Sequence, residues 1–163
     1  MINTMLVAPM SYGVLNDAGN LGRIPNCLLK PAEVFKSKSG KFVAPDGTDD
    51  FDVAQSGDTM ITGWAVVQGT TDGADGYTVP ASTIPTRKEV ITDINGRFLM
   101  PADAAVTEAI KGLTCDIIVA SNIQKADVGE STEDVLIIYD INVALQLVEV
   151  GLNPAKMFVT GVV

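Results

Sequence analysis

The sequence predicts a mainly β protein, and three observations carry that prediction. Its apolar stretches are short and rich in Val and Ile, as at 113–120 and 135–139, and Gly, Pro and Asp recur between them. Asn95-Gly96 sits between two such stretches, where two residues tolerant of positive φ suit a type I′ hairpin turn. The 163 residues are 47% hydrophobic and only 19% charged, which is enough to bury a core without disulfides or metals and too apolar for global disorder.

Residues 1–31 read as an extended arm. Pro9, Gly13, Gly19, Gly22 and Pro25 exclude a long helix, while Met5, Leu6, Val7, Leu15 and Leu21 are too apolar for a free tail and suit a subunit or partner surface. Residues 32–163 then form a single β-dominated domain. Segments 37–40 and 45–57 read as loops rich in Ser, Gly and Asp. Residues 60–68 are apolar on both faces, as in a strand buried on two sides, and Trp64 is the expected core anchor there. A Gly-rich loop at 69–76 leads into a strand at 77–79. Strands at 88–94 and 97–100 flank Asn95-Gly96, a register that places Thr92 and Leu99 on one face.

Residues 101–112 can form a short helix, capped by Asp103, striped by Ala105, Val106, Ala109 and Ile110, and stopped at Gly112. Residues 113–120 and 135–139 read as strands separated by an acidic turn region at 127–134. For 141–150 both types fit. Gly151, Leu152 and Pro154 follow in a helix-stop pattern, which favours a short helix. Residues 157–163 read as a last strand, suited to a partner's edge.

The chain contains no histidine, which removes the commonest general acid–base group and metal ligand. Its net charge of −9 makes nucleic acid a poor partner, since that affinity rests on cations neutralising phosphates. The charge is segregated: Arg23, Lys30, Lys36, Lys38 and Lys41 precede Asp46, Asp49, Asp50, Asp52 and Asp58. Two solvated loop faces account for this, and complementary docking patches are the sharper alternative. The opening residues lack the basic start and apolar core of a signal peptide, and no apolar run reaches membrane-spanning length, so a soluble protein made in the cytoplasm is expected.

Each candidate chemistry lacks a second component. Gly69, Gly73 and Gly76 do not have dinucleotide-fingerprint spacing, and Gly40-Lys41 lacks the rest of a phosphate loop. Asp58-Thr59-Met60 lacks the glycine of an aspartic-protease loop, so Asp58 reads as a turn residue. Asp46–Asp58 offers oxygen ligands for a hard cation, but Phe51 falls where a calcium loop needs glycine and no Glu closes it; Asp72 and Asp75 read first as turn residues. Cys27 and Cys115 have no histidine base and cannot close a zinc site within one chain, and Cys115 reads as a small buried hydrophobe. No catalytic, cofactor-binding or metal residue is therefore assigned, and no cofactor is expected.

Across 57–119 the parts follow in order: the Ser56-Gly57-Asp58 turn, a strand ending Val66-Val67-Gln68-Gly69, an Asp-Gly turn before Tyr77-Thr78-Val79-Pro80, a hairpin, Pro101-Ala102-Asp103 and an Ala-rich segment before an apolar strand. This order resembles the capsid decoration (cement) proteins of tailed bacteriophages. The resemblance implies a small β-barrel or β-tulip module on the capsid surface of the virion, often a trimeric homo-oligomer, that reinforces the major capsid protein lattice without catalysis, nucleic acid or membrane. A tail, baseplate or head-to-tail joining protein is the alternative within the virion. A histidine-independent enzyme using Asp or Cys chemistry is the alternative from another class.

Overall fold

Short β-branched runs cut by Gly, Pro and Asn become thirteen strands in the computed structural model, which describes residues 13–14, 22–35, 40–47, 50–67, 77–81, 86–129 and 132–158. In chain order they are β1 (Gly13–Val14), β2 (Arg23–Leu28), β3 (Val34–Phe35), β4 (Lys41–Pro45), β5 (Phe51–Val53), β6 (Gly63–Val66), β7 (Tyr77–Thr78) and β8 (Arg87–Ile91). There follow β9 (Phe98–Pro101), β10 (Thr114–Ala120), β11 (Ile123–Asp127), β12 (Leu136–Asn142) and β13 (Leu147–Leu152). The protein is mainly β, as the sequence predicts. Helical structure among the described residues is limited to 3-10 turns at Glu108–Ile110 and Pro154–Lys156.

Every strand pair among the described residues is antiparallel, in a five-stranded sheet ordered β2-β8-β6-β4-β5, a six-stranded sheet ordered β1-β9-β13-β12-β10-β11, and a two-stranded sheet of β3 and β7. Both larger sheets curl until strands distant in the sheet order meet. Leu29, just past β2, makes a parallel bridge to Phe51 of β5, and Ala102, just past β9, makes one to Ala126 of β11. These meetings occupy the edge strands β2, β5 and β11: Lys30 N donates to Phe51 O at 2.9 Å and Asp103 N to Ala126 O at 3.0 Å. The edge strand β2 is further blunted by Pro25, which has no N–H, and by an irregularity in register beside Asn26, whose φ is 61°.

The period-two alternation of the five-stranded sheet divides the interior. Phe42, Trp64 and Ile91 face the six-stranded sheet, where Trp64 stacks on Phe98 at a centroid distance of 5.2 Å and Phe42 meets both rings edge-on. Their neighbours Val43, Ala65 and Val90 face the other way and pack with Phe35 and Val79. Trp64 is thus the core anchor expected of it. The acidic segment read as one loop at 45–57 contains β5, because Phe51 and Val53 supply buried residues opposite Pro45 and Val43.

Two parts of the segment read as an arm belong to the sheets. Gly13 and Val14 pair with Leu99 and Phe98 as β1, and β2 pairs with β8 from Arg23↔Ile91 to Leu28↔Arg87. Residues 1–12 and 15–21 of that segment lie outside the described residues, as do most of the loop at 37–40, the Gly-rich loop at 69–76 and the last strand beyond Phe158. Met157, where that last strand was expected to begin, bridges Ile61 in parallel.

Three local readings are corrected. Asn95-Gly96 does not close a hairpin: β8 and β9 belong to different sheets, and neither residue takes the positive φ of a type I′ turn. Gly96 N donates instead to Asp93 O at 2.9 Å, so the turn begins at Asp93 and ends at Gly96, a pairing that favours type I. Gly96 is required for close approach, since a Cβ there would sit 2.9 Å from the Phe98 ring. The two-residue hairpin with positive φ at both central positions is Ser121-Asn122, joining β10 to β11 inside a stretch the sequence left unassigned.

The helix expected at 101–112 shrinks to the turn at Glu108–Ile110. Val106 is pulled into the core and its N–H bonds Gln146 Oε1 at 3.0 Å, while Asp103 accepts from Val128 N at 2.9 Å instead of capping a helix. The helix favoured at 141–150 is a hairpin of β12 and β13 around residues 143–146. An irregularity between Ile138 and Asp140 leaves Tyr139 as the extra residue and resets the alternation, so Leu136, Ile138 and Ile141 all face the core. The step of three from Ile138 to Ile141 imitates a helix. Gly151 is no helix stop either: a Cβ there would lie 2.7 Å from the Tyr139 ring.

Candidate interaction surface

The charged residues singled out in the sequence are largely used within the fold. Lys30 lies 3.7 Å from Asp46 and 3.6 Å from Asp52, so a lysine sits where a cation-binding reading of the loop would place a metal. Asp52, more than Asp46, pushes the Lys30 ammonium above its ordinary value, while burial raises the Asp52 carboxyl. This pairing straddles the Leu29–Phe51 bridge that joins the two ends of the sheet. Arg23 pairs with Glu89 across β2 and β8. Lys41 is buried, donating to Val34 O at 2.7 Å and Asn122 O at 2.6 Å, and so ties β3 and the β10–β11 turn to β4. Asp58 is the turn residue expected: it accepts from Gln55 N at 2.7 Å, and burial raises its carboxyl.

Lys36, Lys38, Asp49, Asp72 and Asp75 lie outside the described residues. Among the described residues no three His, Cys, Asp or Glu side chains gather where they could hold a metal ion. Cys27 and Cys115 are free and buried. Burial, and then the carboxylate of Asp116, pushes the Cys115 thiol far up, so it behaves as a packed hydrophobe and is not poised as a thiolate nucleophile.

The surface draws attention instead to the β12–β13 hairpin. Six large hydrophobic side chains are exposed among the described residues, and three of them, Tyr139, Val143 and Leu145, belong to this hairpin. A fourth, Leu113, is bound to it through Ile138 N donating to Leu113 O at 2.9 Å. A fifth, Ile94, adjoins it through Arg97, whose guanidinium lies 3.5 Å from the Tyr139 ring centroid and bonds Ile94 O at 3.4 Å.

The hairpin tip is apolar where turns are usually polar, and it is held in place. Leu145 N donates to Asn142 Oδ1 at 3.0 Å, and Gln146, at φ 53°, sends Nε2 to Val143 O at 2.6 Å while its own carbonyl accepts from Ala102 N at 3.1 Å. Val143 and Leu145 are therefore presented on a fixed backbone, which lowers the ordering cost of a contact. The sequence concealed this surface, because a helix at 141–150 would have turned part of the same residues inward; the four consecutive residues Val143, Ala144, Leu145 and Gln146 without Gly, Asn or Asp carry no turn signal.

No helix among the described residues is long and apolar enough to cross a membrane. Comparison of the chain with protein-family models, curated proteins and solved structures found no match.

Proposed function

We propose that this chain is a structural virion protein that decorates the capsid of a tailed bacteriophage and reinforces its major capsid protein lattice, with the β12–β13 hairpin as a docking surface. The observation that carries the reading is the concentration of exposed apolar side chains on a hairpin whose backbone is held by Gln146 and Asn142. Aromatic and aliphatic groups fixed on a rigid element suit the centre of a protein interface. The order of parts over 57–119 adds the resemblance to decoration proteins. Such a role needs many copies and a repeated interface, so individually weak contacts suffice when the protein docks as a homo-oligomer.

The test is co-sedimentation with expanded capsids, using the full chain and the double variant Val143→Asp with Leu145→Asp. The full chain is expected to bind in hundreds of copies per particle, with the double variant losing binding on the order of a hundredfold while keeping its melting profile. A purified chain that stays monomeric and never associates with capsids overturns the reading. A copy number near six to twelve would assign it to the tail axis instead.

A further inference from the structure

We infer that Asn95 is a latent deamidation site, and that Asp93 is the gate that keeps it closed in the folded protein. An Asn followed by Gly is the sequence most prone to this reaction, because no side chain hinders the approach of the following nitrogen. The Gly96 nitrogen gives up its proton to base and attacks Asn95 Cγ, a C–N bond forms, and the side-chain nitrogen leaves as ammonia. Water then opens the five-membered imide at either carbonyl, leaving aspartate or isoaspartate at position 95.

Asn95 is exposed, so water and base reach it freely. What opposes the reaction is the turn itself. Gly96 N, the attacking atom, donates to Asp93 O at 2.9 Å, and Gly96 is buried against the Phe98 ring. The Asp93 carboxylate takes Asn95 N at 2.7 Å through Oδ1 and also receives the Asn95 side chain. Its other oxygen accepts from Gly22 N at 2.9 Å, which anchors the turn to the residue before β2. Both partners of the reaction are thus held at one residue: the carboxylate, by tying down Asn95 and Gly22, keeps the turn closed, and only when the turn opens can the Gly96 nitrogen leave the Asp93 main-chain oxygen and reach Cγ. The rate of imide formation is set by opening of the 93–96 turn, a local event that does not require global unfolding.

The product acts on the same joint. Aspartate at 95 places a second carboxylate beside Asp93, and isoaspartate lengthens the main chain by one carbon where Gly96 meets Phe98. Because this turn carries the chain from β8 in one sheet to β9 in the other, the modification loosens the connection between the sheets and cannot be reversed by refolding.

The experiment follows isoaspartate and ammonia release at position 95 in the full chain at mildly alkaline pH, by peptide mass spectrometry. Folded protein, protein unfolded in urea, folded Asp93→Ala, and an Asn95→Gln control are compared. The folded wild type is expected to react at least tenfold more slowly than the unfolded chain, and Asp93→Ala to react on the order of tenfold faster than wild type while folded. Should Asp93→Ala fail to fold, wild type in a series of sub-denaturing urea concentrations replaces it; its rate is expected to rise before the global transition begins. Equal rates in folded and unfolded wild type overturn the inference, as does a folded Asp93→Ala rate equal to wild type or a rate that rises only with global unfolding.

Discussion

The Gln124 carboxamide pairs with the main chain of Phe42 as a strand would, accepting from Phe42 N at 2.9 Å and donating to Phe42 O at 3.1 Å. It also donates to Ala54 O at 2.7 Å. β5 ends at Val53, and one side chain from β11 continues the ladder of β4 past that point, locking the β10–β11 hairpin of one sheet onto the edge of the other. Replacing Gln124 with Leu fills similar space but strands Phe42 N and Ala54 O in a buried setting. A loss of about 2–4 kcal/mol is expected in urea unfolding followed by Trp64 fluorescence. A loss below about 0.5 kcal/mol would mean that water replaces the amide there.

Asp116 performs a comparable task at a loop. Its two carboxylate oxygens accept from the consecutive nitrogens of Thr132, Glu133 and Asp134 at 2.6–3.2 Å. Asp116→Asn turns one of those acceptors into a donor facing donors, and a cost of about 1–3 kcal/mol is expected. Amide exchange at 132–134 should accelerate in the variant while exchange in β6 stays unchanged; uniform acceleration would mean that the carboxylate supports the whole fold.

Thr62 presents the opposite case. Its hydroxyl is fully buried and has no hydrogen-bond partner among the described residues. Thr62→Val removes that unsatisfied group at nearly constant volume while leaving the Thr62 N–H on Val43 O. Stability is expected to hold or rise by up to about 1 kcal/mol. A clear loss in thermal melting would reveal a partner that the hydroxyl holds in solution.

Burial pushes the carboxyls of Glu33, Asp52 and Asp58 above their ordinary values, so the folded chain keeps protons that the unfolded chain has already released. Stability therefore rises as pH falls from neutral through their folded values. Asp93 works the other way: bonds from Gly22 N and then Asn95 N hold its carboxyl low, and its contribution is lost as pH falls through that lowered value. The melting temperature is expected to peak on the acid side of neutrality and to decline below about pH 4. Glu33→Gln keeps an acceptor for Val53 N and should flatten the rise towards the peak. A melting temperature that falls steadily from pH 7 downward refutes this balance.

Where the chain's signals are local and unambiguous, they were legible. The Val- and Ile-rich runs at 113–120 and 135–139 are strands, and Trp64 lies in the core between two sheets. The errors fall where two rules compete for the same residues. Asn95-Gly96 satisfies a hairpin turn, but Asp93 and Gly96 satisfy a type I turn equally well, and the choice depends on β9 finding β13, far onward in the chain. The irregularity at Tyr139 gives β12 a spacing that local pattern cannot distinguish from a helix. The candidate surface was hidden by that same ambiguity, since the exposure of Val143 and Leu145 follows only from their place at a hairpin tip.

The division of the strands also orders events during synthesis. The five-stranded sheet is drawn from residues 23–91, and β9 to β13 of its partner sheet from residues 98–152. As the chain leaves the ribosome, Phe42, Trp64 and Ile91 emerge before Phe98, Leu136 and Val150 exist to cover them. A nascent sheet with one oily face bare is a target for chaperones and for sister chains on the same message. Yield of soluble protein should therefore depend on how fast translation carries the ribosome past β13.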